Sequence, residues 1–119
     1  MQVNVKITVG DREGRFFMGS GLVSLLEGID RHRSISAAAR EMDLSYPKAL
    51  RMIKNVESGL ACPIVVRRKG GSDRGGAELT PIGRDFLLRY ERVQRKIQRF
   101  ATSAFQKAFE KPLLDGRSR

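Results

Sequence analysis

The sequence predicts a mainly α-helical fold with small β elements, on three observations. Residues 34 to 58, SISAAAREMDLSYPKALRMIKNVES, read as two short helices joined by a tight polar turn. The run RRKGGSDRGG then separates two short apolar stretches, as the tip of a hairpin does. From Pro81 onward, apolar residues recur at spacings of three and four, the period of a long helix with one apolar stripe.

At the start of the chain Val3, Val5, Ile7 and Val9 alternate with Asn4, Lys6 and Thr8, a period of two that predicts a half-buried strand. Gly10, Asp11 and Gly14 mark a turn, and Arg15 to Met18 return along the first strand, giving an N-terminal hairpin. After Gly19-Ser20-Gly21, the residues Leu22, Leu25, Leu26 and Ile29 fall at helical spacing. That helix ends near Arg31 to Arg33, where cations suit a helix C-terminus. Ser36 is the expected N-cap of the next helix, and Ala37-Ala38-Ala39 is small enough to let another helix approach closely. Asp43-Leu44-Ser45 breaks the period. Ser45 caps a further helix whose Ala49, Leu50, Ile53 and Val56 share one face, with Lys48, Arg51, Lys54 and Asn55 opposite. Gly59 is placed to stop this helix, and Pro63 prevents its continuation.

Ile64 to Val66 are expected to pair with Ala77 to Leu79. Between them the four glycines Gly70, Gly71, Gly75 and Gly76 permit unusual dihedrals and a close approach of backbone to a ligand. Thr80 followed by Pro81 is a strong helix start. The helix should run over about 81–110 and end before Pro112, leaving 112–119 as a flexible tail. Phe86, Tyr90, Val93, Ile97, Phe100 and Ala104 form its seam, and Ala101, Phe105 and Ala108 widen it. A helix of about twenty-five residues is roughly 37 Å long and exceeds the width of a small domain. Its apolar seam therefore calls for a second copy, and a homodimer is expected. In this order the elements make one winged helix-turn-helix domain over 1–111, with an N-terminal β-hairpin and a long C-terminal helix.

Charge points to the partner. Lysine and arginine number 23 against 13 acidic residues in 119, a net charge of +10 that favours an acidic partner, nucleic acid first. Cys62 is the only cysteine, so no intrachain disulfide forms, and its expected place is that of a small buried hydrophobe. No apolar run is long enough for a signal peptide or a membrane span, so a cytoplasmic protein is expected. His32 is the sole histidine and has no catalytic set around it. There is no histidine and cysteine cluster for a metal, and GGSDRGG lacks the lysine and hydroxyl ending of a phosphate-binding loop. Neither catalysis nor a cofactor is expected.

With helix pair, glycine-rich hairpin and capped long helix in this order, the sequence resembles the N-terminal DNA-binding domain of ModE-type, molybdate-responsive transcription regulators. VNVKITV, SISAAAREMDLSYPKA and GGSDRGGAELTPIGRDFL carry the likeness, together with their spacing. A more distant likeness joins the chain to the LysR-type winged helix. The resemblance implies a DNA-binding regulator. Regulators of this type have a further C-terminal portion that binds molybdate, and the residues after Lys111 are too few to form one. A stand-alone, ligand-independent regulator is thus expected, without direct molybdate binding.

On double-stranded DNA, the helix starting near Ser45 should enter the major groove, with Ser45, Tyr46, Lys48 and Arg51 closest to base edges. Arg51 suits a bidentate contact to guanine, whereas helical geometry also turns Tyr46 partly toward the Ile53 face. Backbone phosphates should be met by Ser34, Ser36, Lys54, Arg67, Arg68, Lys69 and Arg74, with Asp73 limiting how far the wing inserts. A dimer would read a palindromic site with half-sites about one helical turn apart. Two other readings remain open on sequence: a sequence-indifferent architectural DNA-binding protein, and a protein-interaction module on a winged-helix scaffold.

Overall fold

A computed structural model describes residues 2–68 and 76–114, with the side chains of Phe16 and Phe17 outside the description. In chain order the elements are β1 (Val9–Gly10), β2 (Phe16–Met18), α1 (Ser20–His32), α2 (Ile35–Glu41), α3 (Tyr46–Leu60), β3 (Val65–Arg68), β4 (Gly76–Leu79) and α4 (Pro81–Ala108). The expected winged helix-turn-helix is therefore present. β3 and β4 pair antiparallel from Val65 opposite Leu79 to Arg68 opposite Gly76, which forms the stem of the wing.

α1 supplies the centre of the core. Leu22, Leu25, Leu26 and Ile29 on its inner face are buried together with Ile35 and Ala38 of α2, Ile53 and Val56 of α3, Leu79 of β4 and Leu87 of α4. α2 crosses α1 at very short range: a Cβ built on Gly28 would lie 2.9 Å from the Cβ of Ala38. Only glycine facing alanine permits that approach, which brings the helix pair onto α1 and so sets the outward face of α3. Cys62 is half-buried against this core.

At the other side of the core, α4 is pinned to Ile64. The Thr80 N–H donates to the Ile64 carbonyl at 2.8 Å, and the Thr80 hydroxyl donates to the Pro63 carbonyl at 2.8 Å while accepting from the Gly83 N–H at 2.9 Å. Arg84 of α4 reaches Asp30 of α1 at 2.7 Å.

Several local expectations are corrected. The N-cap of α2 is Ser34, whose hydroxyl accepts from the Ala37 N–H at 3.0 Å; Ser36 lies inside the first turn. Capping needs an extended residue one step before the helix, and Ser34 has that conformation (φ −157°, ψ 126°). α3 passes through Gly59 and stops at Ala61, which takes the left-handed conformation itself (φ 58°) and donates its N–H to Glu57. Ile64 precedes β3 and is fully buried rather than paired in it. The end of α4 needs no such change: it stops at Ala108, ahead of Pro112, with Phe109 as its cap.

The N-terminal strand is shorter than its alternation predicts: β1 holds only Val9 and Gly10, bulged against β2. Among the described residues, no backbone group bonds to residues 3 to 8. Instead they lie along α4, where side chains replace a partner strand: Gln98 Nε2 donates to the Val3 carbonyl at 2.6 Å, Gln94 Nε2 to Val5 at 2.8 Å and the Tyr90 hydroxyl to Ile7 at 2.7 Å. Gln98 Oε1 in turn accepts from the Val5 N–H at 3.0 Å. The period of two is real, since Val3, Val5, Ile7 and Val9 are half-buried and the residues between them exposed.

Candidate nucleic-acid interface

The turn between α2 and α3 is held by main-chain bonds. Leu44 N–H donates to the Ala39 carbonyl at 2.9 Å, and Asp43 takes a left-handed conformation (φ 56°) that a short polar residue tolerates. Ser45 caps α3 as expected, accepting from the Lys48 N–H at 3.2 Å. Ala49, Ile53 and Val56 bury one face of α3, and Leu50 is half-buried beside them. Lys48, Arg51, Lys54 and Asn55 are all exposed on the other. A row of three cations and an amide thus projects from a helix whose inner face is fixed by packing.

Tyr46 divides its surface between both environments. It is half-buried against the core, and its hydroxyl accepts from Arg67 Nη1 at 3.3 Å, which links the start of α3 to the wing stem. Ser34 and Ser36 are half-buried at the start of α2, and the Ser34 hydroxyl is occupied as a cap. Arg67 and Arg68 are exposed on β3, whereas Lys69, Asp73 and Arg74 lie outside the described residues. The structure thus brings Ser45, Tyr46, Lys48, Arg51 and Lys54 together on one helix and joins Arg67 to them through Tyr46.

Two carboxylates that orient this surface escaped the sequence reading. Glu57, the sole acidic residue of α3, turns inward: its Oε2 accepts from the Ile64 N–H at 2.7 Å and the Val65 N–H at 3.1 Å, tying the end of α3 to the start of the wing. Glu78 of β4 lies between Arg33 Nη1 at 3.0 Å and Arg68 Nη1 at 3.6 Å, and the Ala77 N–H donates to the Arg33 carbonyl at 3.0 Å. Arg33 is the left-handed C-cap of α1 (φ 56°), so the α1 to α2 corner and the wing share one anchoring residue. For Glu57, a lone carboxylate among the cations of α3 was the available signal. At the same end of α1, Glu41 of α2 meets Arg31 at 2.6 Å and His32 Nε2 at 3.2 Å, and those partners hold its carboxyl below the usual range, the His32 contact most.

The family model described as "Bacterial regulatory helix-turn-helix protein, lysR family" matches residues 22–84, more than half of the 119. The chain belongs to this LysR family of regulatory proteins. It is a helix-turn-helix domain of LysR type, and α2 and α3 are the pair that the family is named for. It is 40% identical over 96 residues to the molybdenum-pterin-binding protein MopB of Rhodobacter capsulatus, covering 81% of this chain and 34% of that one. It is 37% identical over 76 residues to the molybdenum transport protein ModE of Azotobacter vinelandii, covering 64% and 28%. The LysR-type chain therefore spans about a third of the length of these relatives. Among solved structures, the CbnR DNA-binding domain in complex with DNA superposes with a TM-score of 0.63 at 23% identity, over 76% of this chain and 99% of that one. The BenM DNA-binding domain on benA site 1 DNA gives 0.57 at 18%, over 76% and 97%. These likenesses show the winged fold. Among the described residues no helix is long and apolar enough to cross a membrane.

The expected dimer seam divides in two. Phe86 and Tyr90 pack against the domain's own core, with ring centroids 6.3 Å apart. Farther along α4, Val93, Ile97 and Phe100 are 49%, 39% and 77% exposed, and Ala104 is exposed too.

Proposed function

We propose that this chain is a sequence-specific, ModE-like transcription regulator that reads a palindromic site as a homodimer. The observation that carries the reading is the outward row Lys48, Arg51 and Lys54 on a helix whose other face is buried through Ala49, Ile53 and Val56. Such a helix can lie in the major groove without unpacking, and its first turn, with Ser45, Tyr46, Lys48 and Arg51, is the part nearest base edges. Arg51 reads guanine through two parallel hydrogen bonds, and Lys48 makes a looser contact. Lys54, Arg67, Arg68 and the start of α2 meet phosphates and set the register, together with Lys69 and Arg74. Exposed Val93, Ile97, Phe100 and Ala104 on α4 join two copies, so that two recognition helices address two half-sites. Direct molybdate binding is not assigned to these residues.

Selection from random duplex DNA, followed by salt titration on enriched and scrambled sequences, tests the reading. An enriched palindrome is the expected result. Binding without enrichment and with a steep salt slope would replace it with an architectural, sequence-indifferent role. No binding at moderate salt would leave a protein-interaction module.

A further inference from the structure

The amino-terminal arm has one satisfied edge and one open edge. Toward α4, the carbonyls of Val3, Val5 and Ile7 and the N–H of Val5 are taken by Gln98, Gln94 and Tyr90. In an extended chain the main-chain groups of successive residues point to opposite sides, so those of Asn4, Lys6 and Thr8 face away from α4. Among the described residues nothing bonds them. This is an unpaired strand edge of about five residues, fixed in place on a helix. An exposed edge of that kind is a template for strand addition.

We propose that the open edge of residues 4 to 8 pairs antiparallel with the same segment of a second copy, forming a two-stranded clasp beside the α4 seam. The inference rests on the dimer reading given above and deepens it. Three features choose a second copy as the occupant. First, Val93 and Ile97 each precede, by one residue, a glutamine that holds the arm, so the arm borders the exposed stripe of α4 and a partner on that stripe meets it. Second, the stripe alone is small: three partly exposed side chains offer on the order of 300 Å² of apolar area per protomer, against about 800 Å² per partner in a stable interface. A dimer through α4 therefore needs more surface than its seam supplies. Third, the segment is compatible with its own mirror across a twofold axis. A register centred on Val5 or Ile7 sets an apolar side chain opposite its symmetry mate and keeps the two Lys6 side chains from facing each other.

Lys6→Pro isolates the clasp, because it removes an N–H that points away from α4 and leaves every bond between the arm and α4 in place. Proline also suits the extended backbone there. By sedimentation equilibrium, Lys6→Pro should weaken dimerisation at least about tenfold, while Lys6→Gln, which keeps the N–H, leaves it unchanged. Amide exchange gives a second readout that does not depend on the proline variant: the N–H groups of Asn4, Lys6 and Thr8 should be protected in the wild-type dimer and exchange freely in monomeric Ile97→Glu. Equal dimerisation in Lys6→Pro and wild type, with the three amides exchanging freely in the dimer, overturns the clasp. The two readings separate cleanly: a dimer abolished by Ile97→Glu but indifferent to Lys6→Pro keeps the helical seam and removes the clasp. A dimer that survives Ile97→Glu and is weakened by Lys6→Pro does the reverse.

Discussion

Replacing Gly83 by alanine should destabilise this domain, although helix propensity alone argues the opposite. Gly83 sits in the first turn of α4, and in an unconstrained helix interior alanine is favoured over glycine by about 1 kcal/mol. Here a Cβ on Gly83 would fall on the carbonyl oxygen of Ile64, with the carbonyl carbon and Cγ2 of Ile64 each 3.0 Å away. Main chain cannot swing aside as a side-chain tip can, so α4 must retreat from Ile64. That movement stretches the Thr80 N–H bond to Ile64 and the Thr80 hydroxyl bond to Pro63, both now 2.8 Å. Two hydrogen bonds at about 1 kcal/mol each, with about 1–3 kcal/mol for overpacking, outweigh the propensity gain of about 1 kcal/mol and leave a net loss of about 2–4 kcal/mol. For a domain of this size a 2 kcal/mol loss lowers Tm by about 8 °C. Thermal and urea unfolding followed by circular dichroism would measure it. A Gly83→Ala protein as stable as wild type, or more so, refutes the close docking of α4 on Ile64.

The remaining expectations concern caps, carboxylates and DNA. Ser34→Ala should cost about 1 kcal/mol by urea unfolding, since the Ala37 N–H loses its acceptor, whereas Ser36→Ala should cost much less. Glu57→Ala leaves the N–H groups of Ile64 and Val65 without their acceptor and should lose about 2–4 kcal/mol, with Glu57→Gln recovering part of it. A hydrogen bond that the protonated Glu27 carboxyl donates to Glu91, aided by burial, raises Glu27 from 4.5 to about 7 between α1 and α4. The fold thus holds a proton that the unfolded chain releases, so the stabilisation is complete below about pH 4.5 and is lost as pH rises through about 7. Urea midpoints of Glu27→Gln should accordingly fall less than those of wild type between pH 5 and pH 8. On DNA, Arg51→Ala should cost about 1–3 kcal/mol and relax preference at one base position, and Lys54→Ala should weaken all sequences alike and lower the salt slope by about one. Equal behaviour of the two variants in competition binding contradicts their assigned roles.

What the sequence made legible was whatever is written locally. Ser45, Thr80 and Pro81 announce their caps, and the alternation of Ala49, Ile53 and Val56 with cations announces the two faces of α3. The two apolar runs around the glycines announce the wing stem, although its register is one residue later on the first strand than expected, with Val65 to Arg67 facing Leu79 to Ala77. The misplacements came where tertiary context decides. Both Ser34 and Ser36 can cap, and the crossing of Gly28 over Ala38 fixes where α2 begins. Ala61 ends α3 in a conformation that glycine adopts more readily, because Glu57 anchors the following chain and Gly59, without that anchor, stays helical. The strand signal of residues 3 to 8 was correct about which side chains are half-buried and silent about their partner, since nothing in a period of two distinguishes a neighbouring strand from a row of glutamines. The exposed cations of α3 were visible for a similar reason: surface charges on one helical face need no long-range contact to be counted.

α4 changes its dependence along its length, and this bears on how the α3 helices would be spaced in the proposed dimer. Its first two turns are fixed to the winged domain by Gly83 on Ile64, by Arg84 on Asp30 and by buried Leu87. Beyond Glu91 its described side-chain bonds to the rest of the chain all go to the arm, through Gln94 and Gln98. An isolated helix of that length with exposed Arg92, Arg95, Lys96 and Arg99 clustered at spacings of three and four gains little from its own sequence, because like charges so placed repel by about 0.2–0.5 kcal/mol a pair. Its order must come from contacts, and the arm supplies those present within one copy. Removing residues 2 to 7 should therefore fray the distal half of α4 while leaving the helix-turn-helix folded. Amide exchange distinguishes the two outcomes: protection lost from about residue 93 onward but kept in α1 to α3 supports this dependence, and unchanged protection throughout α4 contradicts it. In the first case, the distance between the two α3 helices of the proposed dimer would be set as much by the first residues of the chain as by α4.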